Sequence, residues 1–269
     1  MTNIILGAVN GAAAIAACLV STQALAGGTP PVPVSQSRSL MADTFVIASP
    51  VSNQDFQTAS WPAVGAFDTA LDAHAELPQG NAVHHTEQTT EIAPFGMQGI
   101  GSASATANVL APNTVAYSIG SSDCSMTFDV ATASPYRIIG MLVAGPNSQS
   151  SAKLVGPLGT LIEIVVVGDS QPVQATGTLS PGRYTFLCST FASATTSVMG
   201  ASADSASFSL HFSTSAEPAD LDNDGGIGPD DLGMLLGAWG PCEACAADLD
   251  WNGIVDGADL AGLLAGWTG

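Results

Sequence analysis

Between Asp220 and Asp259 the chain carries one twelve-residue pattern twice, offset by 28 residues, and this repeat restricts its folding more than any other feature. The first copy runs Asp220-Leu221-Asp222-Asn223-Asp224-Gly225-Gly226-Ile227-Gly228-Pro229-Asp230-Asp231. The second runs Asp248-Leu249-Asp250-Trp251-Asn252-Gly253-Ile254-Val255-Asp256-Gly257-Ala258-Asp259. Positions one, three and five are Asp220, Asp222 and Asp224, then Asp248, Asp250 and Asn252. In a tight loop, alternate residues turn their oxygens toward one point, as a hard cation with six to eight oxygen ligands requires. Gly225 and Gly253 hold position six, where the sharp bend needs a left-handed residue. Gly226 and Ile254 at position seven offer backbone carbonyls, and Asp231 and Asp259 at position twelve close each loop with a carboxylate. Asp256, at position nine, adds a water-mediated ligand in the second copy only. The spacing predicts two bound calcium ions.

An apolar stripe follows each loop: Leu232, Leu235, Leu236 and Trp239, then Leu260, Leu263, Leu264 and Trp267. This spacing puts each set on one helical face. Gly233, Gly237, Gly262 and Gly266 weaken the helices by about 1 kcal/mol each relative to Ala, so they are expected to need calcium and mutual packing. Packing with approximate twofold symmetry is expected, with Trp239 and Trp267 each partly buried against the other repeat.

Loop then helix, twice, with Asp-Leu closing each loop, resembles a dockerin, the module that docks onto cohesin domains in extracellular assemblies. Gly240-Pro241-Cys242 between the repeats and Trp267-Thr268-Gly269 after them are similar to the Gly/Cys-type dockerins of planctomycete secreted proteins. Paired EF-hands differ in having a helix leading into each loop and usually Glu at position twelve. The resemblance covers about Ala219 to Gly269 and implies a cohesin-like or cell-surface partner engaged through residues 218–269. Many dockerins carry Ser-Thr at loop positions ten and eleven; Pro229-Asp230 and Gly257-Ala258 depart from that and leave the partner open. Dockerins commonly travel with glycoside hydrolases, which brings polysaccharide binding or hydrolysis into consideration for the rest of the chain.

Four Lys and Arg stand against 23 Asp and Glu, a net charge of −19. Such a surface repels phosphate backbones and anionic headgroups, which argues against nucleic-acid or peripheral-membrane binding. Met1 to Ala26 reads as a signal peptide ending in Ala24-Leu25-Ala26, so a secreted or cell-surface location is expected. The alternative is a lipoprotein box, Ile15-Ala16-Ala17-Cys18, which would leave a lipidated Cys18. Residues 27–41, rich in Gly, Pro and Ser, read as a linker. No later stretch has the apolar length of a membrane span.

From residue 42 to 215 the texture predicts an antiparallel β-sandwich, jelly-roll-like, ahead of the small helical calcium module. Candidate strands are Thr114–Ile119, Ser125–Val130, Tyr136–Val143, Leu161–Val167, Arg183–Cys188 and Ala206–Phe212. Phe208, Leu210 and Phe212 alternate with Ser207, Ser209 and His211, the period of a strand with one buried face. Phe67–Ala73 reads as a helical turn, and His84-His85 as part of a polar loop. In an exported chain the remaining cysteines favour disulfides: Cys124 with Cys188, and Cys242 with Cys245. A redox or zinc dithiol is the other reading of Cys242-Glu243-Ala244-Cys245.

No catalytic set emerges. Asp129, Glu163, Asp169 and Glu87 are carboxylates without a linking motif, aromatics are sparse, and no Gly-x-Ser-x-Gly elbow occurs. His74, His84 and His85 could ligate a transition metal, but histidines of a polar loop more commonly face solvent. The sequence favours a secreted, non-catalytic β-sandwich attached through a calcium module. Two alternatives stay open: a dockerin-bearing glycoside hydrolase, and a structural surface protein with a calcium-stabilised cap.

Overall fold

The computed structural model describes residues 31–63, 65–93, 96–214, 217–242, 245–250 and 253–268. The expected signal peptide over 1–26, the Cys18 alternative, residues 27–30 of the expected linker, and Asn252 among the expected ligands lie outside them.

Strands β1 (Val32–Ala48), β2 (Val51–Trp61), β3 (Phe67–Leu77), β4 (Gly80–Ala93), β5 (Gly96–Val109) and β6 (Thr114–Val130) come first. Then follow β7 (Ser134–Ala144), β8 (Gln149–Gly156), β9 (Gly159–Val166), β10 (Asp169–Leu179), β11 (Gly182–Thr196) and β12 (Gly200–Ser213). They form two antiparallel six-stranded sheets, ordered β2-β1-β6-β11-β8-β9 and β10-β7-β12-β5-β4-β3. The fold is mainly β and sandwich-like, as the turn-punctuated short runs predict. After it come helix α1 (Pro229–Gly237), the two-residue strands β13 (Gly240–Pro241) and β14 (Ile254–Val255), and helix α2 (Gly257–Ala265).

Strict alternation drives the sandwich. Along β6, Ala116, Ser118, Gly120, Ser122, Cys124, Met126, Phe128 and Val130 are buried while the residues between them are half-buried. β12 behaves as expected, with Ala206, Phe208, Leu210 and Phe212 turned into the core. The core has two unlike halves. One is aromatic: the Phe186 and Phe212 rings stack 4.8 Å apart, and Phe128 lies 5.4 Å from Phe212. The other is built of Ala75, Ala82, Ala103, Ala105, Ala107, Ala116, Ala192 and Ala194 with Val46 and Val109.

Small side chains let the sheets approach closely, so polar side chains reach across to the opposite backbone. Thr86 of β4 donates to the Ser121 carbonyl (3.2 Å), Gln88 to the Asp123 carbonyl (3.1 Å), and Ser118 of β6 to the Val83 carbonyl (2.8 Å). A buried hydroxyl or amide without a partner would cost about 1–3 kcal/mol, so these bonds make a polar belt tolerable inside the sandwich. At Gly120 an added Cβ would stand 2.3 Å from His84 Nε2, so this belt requires a glycine there.

Four expectations are corrected. The linker assigned to 27–41 is strand β1 from Val32 onward, paired with β6, because its Pro and Ser residues meet partners the sequence does not reveal. Phe67–Ala73 is not helical but opens β3; Phe67, Ala73 and Ala75 face inward while Asp68, Asp72, His74 and Glu76 face out. His84-His85 lie in β4 rather than a loop. Cys124 and Cys188 stand opposite each other on β6 and β11 as buried free thiols rather than a disulfide. Burial pushes the Cys188 thiol well above its ordinary range, which suppresses the thiolate needed for exchange. The Cys242–Cys245 disulfide is formed.

Candidate metal centre

The C-terminal repeat folds into two loop–helix units with the same internal wiring. In the first loop, the carboxylate of Asp231 at position twelve accepts from the backbone N–H of Leu221 (2.7 Å), Asp222 (3.2 Å) and Gly228 (2.7 Å). In the second, Asp259 accepts from Leu249 (2.7 Å), Asp250 (3.3 Å) and Asp256 (2.8 Å), the corresponding positions two, three and nine. Asp220 Oδ2 takes the Gly225 N–H at 3.1 Å, and Asp248 Oδ2 takes that of Gly253 at 2.8 Å. The glycines at position six adopt φ of 96° and 89°, the left-handed bend expected of them.

Each loop also borrows a short backbone pairing from the end of the other repeat. Gly240 pairs with Val255, and Thr268 exchanges bonds with Ile227, its N–H reaching the Ile227 carbonyl at 3.0 Å. Gly240 and Thr268 are equivalent in the 28-residue offset, as are Ile227 and Val255, so the two units are related by approximate twofold symmetry. Leu221, Ile227, Leu235, Val255 and Leu263 fill the space between them. The expected tryptophan packing is corrected here. Leu235 and Leu263 are fully buried and make the contact, while Trp239 and Trp267 remain 50% and 37% exposed beside exposed Leu236 and Leu264.

The donor oxygens converge. Asp220, Asp222 and Asp224 place carboxylate oxygens within 4.8 Å of one another, as do Asp248, Asp250 and Asp259. Like charges this close raise one another's proton affinity. Burial, then the neighbouring Asp231, push the Asp222 carboxyl up to about 6. Burial also raises Asp231. Burial opposes ionisation of Asp259 too, but its backbone N–H bonds outweigh that and hold its carboxyl below the ordinary range. A divalent cation among these oxygens would relieve the repulsion, and a hard, all-oxygen donor set suits calcium rather than a transition metal. Gly226 and Ile254 follow the left-handed glycines. Asp256 uses its carboxylate as the N-cap of α2, accepting from Ala258 N–H at 2.7 Å.

The module is seated on the outer face of the second sheet. Arg137 of β7, buried at 8% exposure, donates through Nη1 to the Pro218 carbonyl (3.3 Å) and through Nη2 to that of Asp248 (3.2 Å). His211 Nε2 lies 3.4 Å from the Asn223 side-chain amide, and burial lowers the imidazole to about 4. Nothing in the sequence marked Arg137 or His211, since both arise from strands remote from the loops; the only signal was a basic residue in a chain with four.

Of the other candidates only His85 and Glu87 of β4 are brought together, 3.6 Å apart on the exposed face. Asp129 on β6 is held by Arg183 (2.8 Å) and Glu163 on β9 by Lys153 (3.0 Å). Glu87 on β4 accepts from Ser102 (3.2 Å), and Asp169 opens β10. His84 is buried against Ser118 (3.1 Å), whereas His85 faces Asp72 (2.8 Å) and His74 faces Glu76 (3.7 Å) outside.

No protein-family model matches the sequence, and no curated protein matches it either. Among solved structures, an exo-β-1,3-galactanase from Phanerochaete chrysosporium with β-1,3-galactotriose is similar over 58% of this chain and 74% of its own, at 6% identity. Its TM-score of 0.17 is too low to carry an argument about fold or function. No helix among the described residues is long and apolar enough to cross a membrane.

Proposed function

We propose that the C-terminal module binds two calcium ions and attaches an exported, non-catalytic β-sandwich to a cohesin-like or cell-surface partner. The observation that carries this reading is the duplicated wiring: equivalent carboxylates, glycines and backbone bonds recur in both loops, around oxygens that converge on one point in each. Asp220, Asp222, Asp224, Asp231 and the Gly226 carbonyl would hold one ion. Asp248, Asp250, Asn252, Asp259 and the Ile254 carbonyl would hold the other, with Asp256 acting through water. The exposed set Leu236, Trp239, Leu264 and Trp267 supports attachment, because it leaves a related apolar patch on each helix open to a partner. A non-catalytic sandwich is favoured by carboxylates that stand on separate strands and engage neighbours rather than facing one another across a cleft. A polysaccharide remains the ligand class to try first on the sandwich, following the company dockerins keep.

Calorimetry on the full chain tests the first part: two ions bound, and one lost in each of Asp220→Ala and Asp248→Ala. Absence of calcium uptake would end this reading. Pull-down from secreted and envelope fractions with and without EDTA tests attachment, and recovery of the same proteins in both would reduce the module to a stabilising cap. The seating of the module on the sandwich favours that second reading. A polysaccharide panel scored for reducing sugar separates either from a hydrolase.

A further inference from the structure

Arg137 is buried, and burial lowers its guanidinium from the ordinary range. Taking an arginine charge out of water is expensive unless fixed dipoles replace the hydration. Here those dipoles are two carbonyls from opposite repeats: Pro218, just ahead of the first loop, and Asp248, the first residue of the second. One guanidinium thus holds both repeats, the first through the segment leading into its loop and the second through the opening residue of its own.

A second contact comes from within the first loop. Asn223, at position four with φ of 59°, sets its amide against His211 of β12 and its side chain over Gly96 of β5. A Cβ at Gly96 would meet the Phe212 carbonyl of the sheet first, and the Asn223 side chain at 3.0 Å, so the loop packs directly on the strand backbone there. Between these contacts lies a cavity of about 340 Å³ lined by Tyr136, Arg137, Thr178, His211 and Ser213 from the sandwich and by Asp220 from the loop. Asp220, the leading residue of the first loop, therefore borders the seat itself.

From this geometry we infer that calcium binding and seating of the module on the second sheet favour each other, with Arg137 as the positioning residue that couples them. The inference rests on the calcium reading above and extends it: the sandwich is the module's built-in partner, and loop occupancy controls whether that partner is engaged. Reciprocity follows from linkage. Whatever calcium adds to seating, seating adds to calcium affinity.

The test uses the full chain. Calcium affinity is measured by calorimetry for the wild type, Arg137→Gln, Arg137→Lys and Asn223→Gly, the last preserving the left-handed backbone while removing the amide. Small-angle scattering with calcium and with EDTA reports whether the module is seated. The expected result is two ions in every protein, with affinity at least fivefold weaker in Arg137→Gln and Asn223→Gly and partial recovery in Arg137→Lys. The wild type should expand on adding EDTA, and Arg137→Gln should be expanded even with calcium. Two ions bound with unchanged affinity in Arg137→Gln and Asn223→Gly, and a wild-type envelope indifferent to EDTA, would overturn the coupling while leaving the calcium reading intact. No ions bound by the wild type would remove the calcium reading itself. Should Arg137→Gln fail to fold, the Asn223→Gly comparison carries the test.

Discussion

The sandwich and the module obey different rules of stability. The sandwich buries five phenylalanines and a broad alanine-lined surface between strands of up to 17 residues, so area removed from water holds it. The module has two nine-residue helices, five glycines within or just after them, and a small cluster around Leu235 and Leu263. Helices this short are marginal alone. The difference lies in where acidic residues sit: on sandwich surfaces they meet water or a base, whereas in the module they point at one another. One region folds by hiding carbon; the other, on the calcium reading proposed above, folds by reconciling its oxygens around a cation.

The largest expected effect follows directly. On chelation, amide exchange over α1 and α2 should become fast while β6 and β11 keep their protection, as mass spectrometry can follow. Equal protection of the helices in both states would make the module as self-sufficient as the sandwich. Phe212→Ala reverses the target: it should cost the sandwich about 3–5 kcal/mol in denaturant unfolding and leave two calcium ions bound.

Acid should also reach the sandwich. Burial, then the nearby His85 charge, lowers His84 to about 4. An unfolded chain would protonate it near 6.5, so this stability is fully present above that pH and is lost as pH falls from about 6.5 toward 4. The loss is on the order of 3 kcal/mol, and His84→Gln should flatten the dependence of the urea midpoint over that window. The smallest effect is local. Gly253→Ala forces a side chain into the left-handed bend at about 1–2 kcal/mol, and should weaken the second calcium site while leaving the first unchanged in calorimetry.

The sequence made the module legible because its chemistry is local: the proposed ligands of each site fall within one twelve-residue span, and spacing alone groups them. The sandwich strands rich in Phe, Leu and Val were legible too, although Thr114–Ile119 and Ser125–Val130 run on as the single strand β6. β3 was not, because Ala73 and Ala75 contrast weakly with their neighbours and alanine fits a helix as readily as a strand. β1 was hidden by its Pro and Ser residues, which look like linker until β6 supplies partners. Cys124 and Cys188 were correctly placed opposite each other, but position does not fix oxidation state. The seat on Arg137 and Asn223 was beyond reach, since it joins residues that only the folded sheet brings together.

The borrowed backbone pairings have a consequence for the order in which a growing chain can assemble. Loop two finds its partner already made, because Gly240 precedes Val255. Loop one must wait for Thr268, 41 residues after the Ile227 it secures. Two sites that are near copies of each other in the finished protein are thus unequal in time: emerging N-terminus first, the chain holds the ligands of its first loop in hand throughout, yet completes its second loop before it.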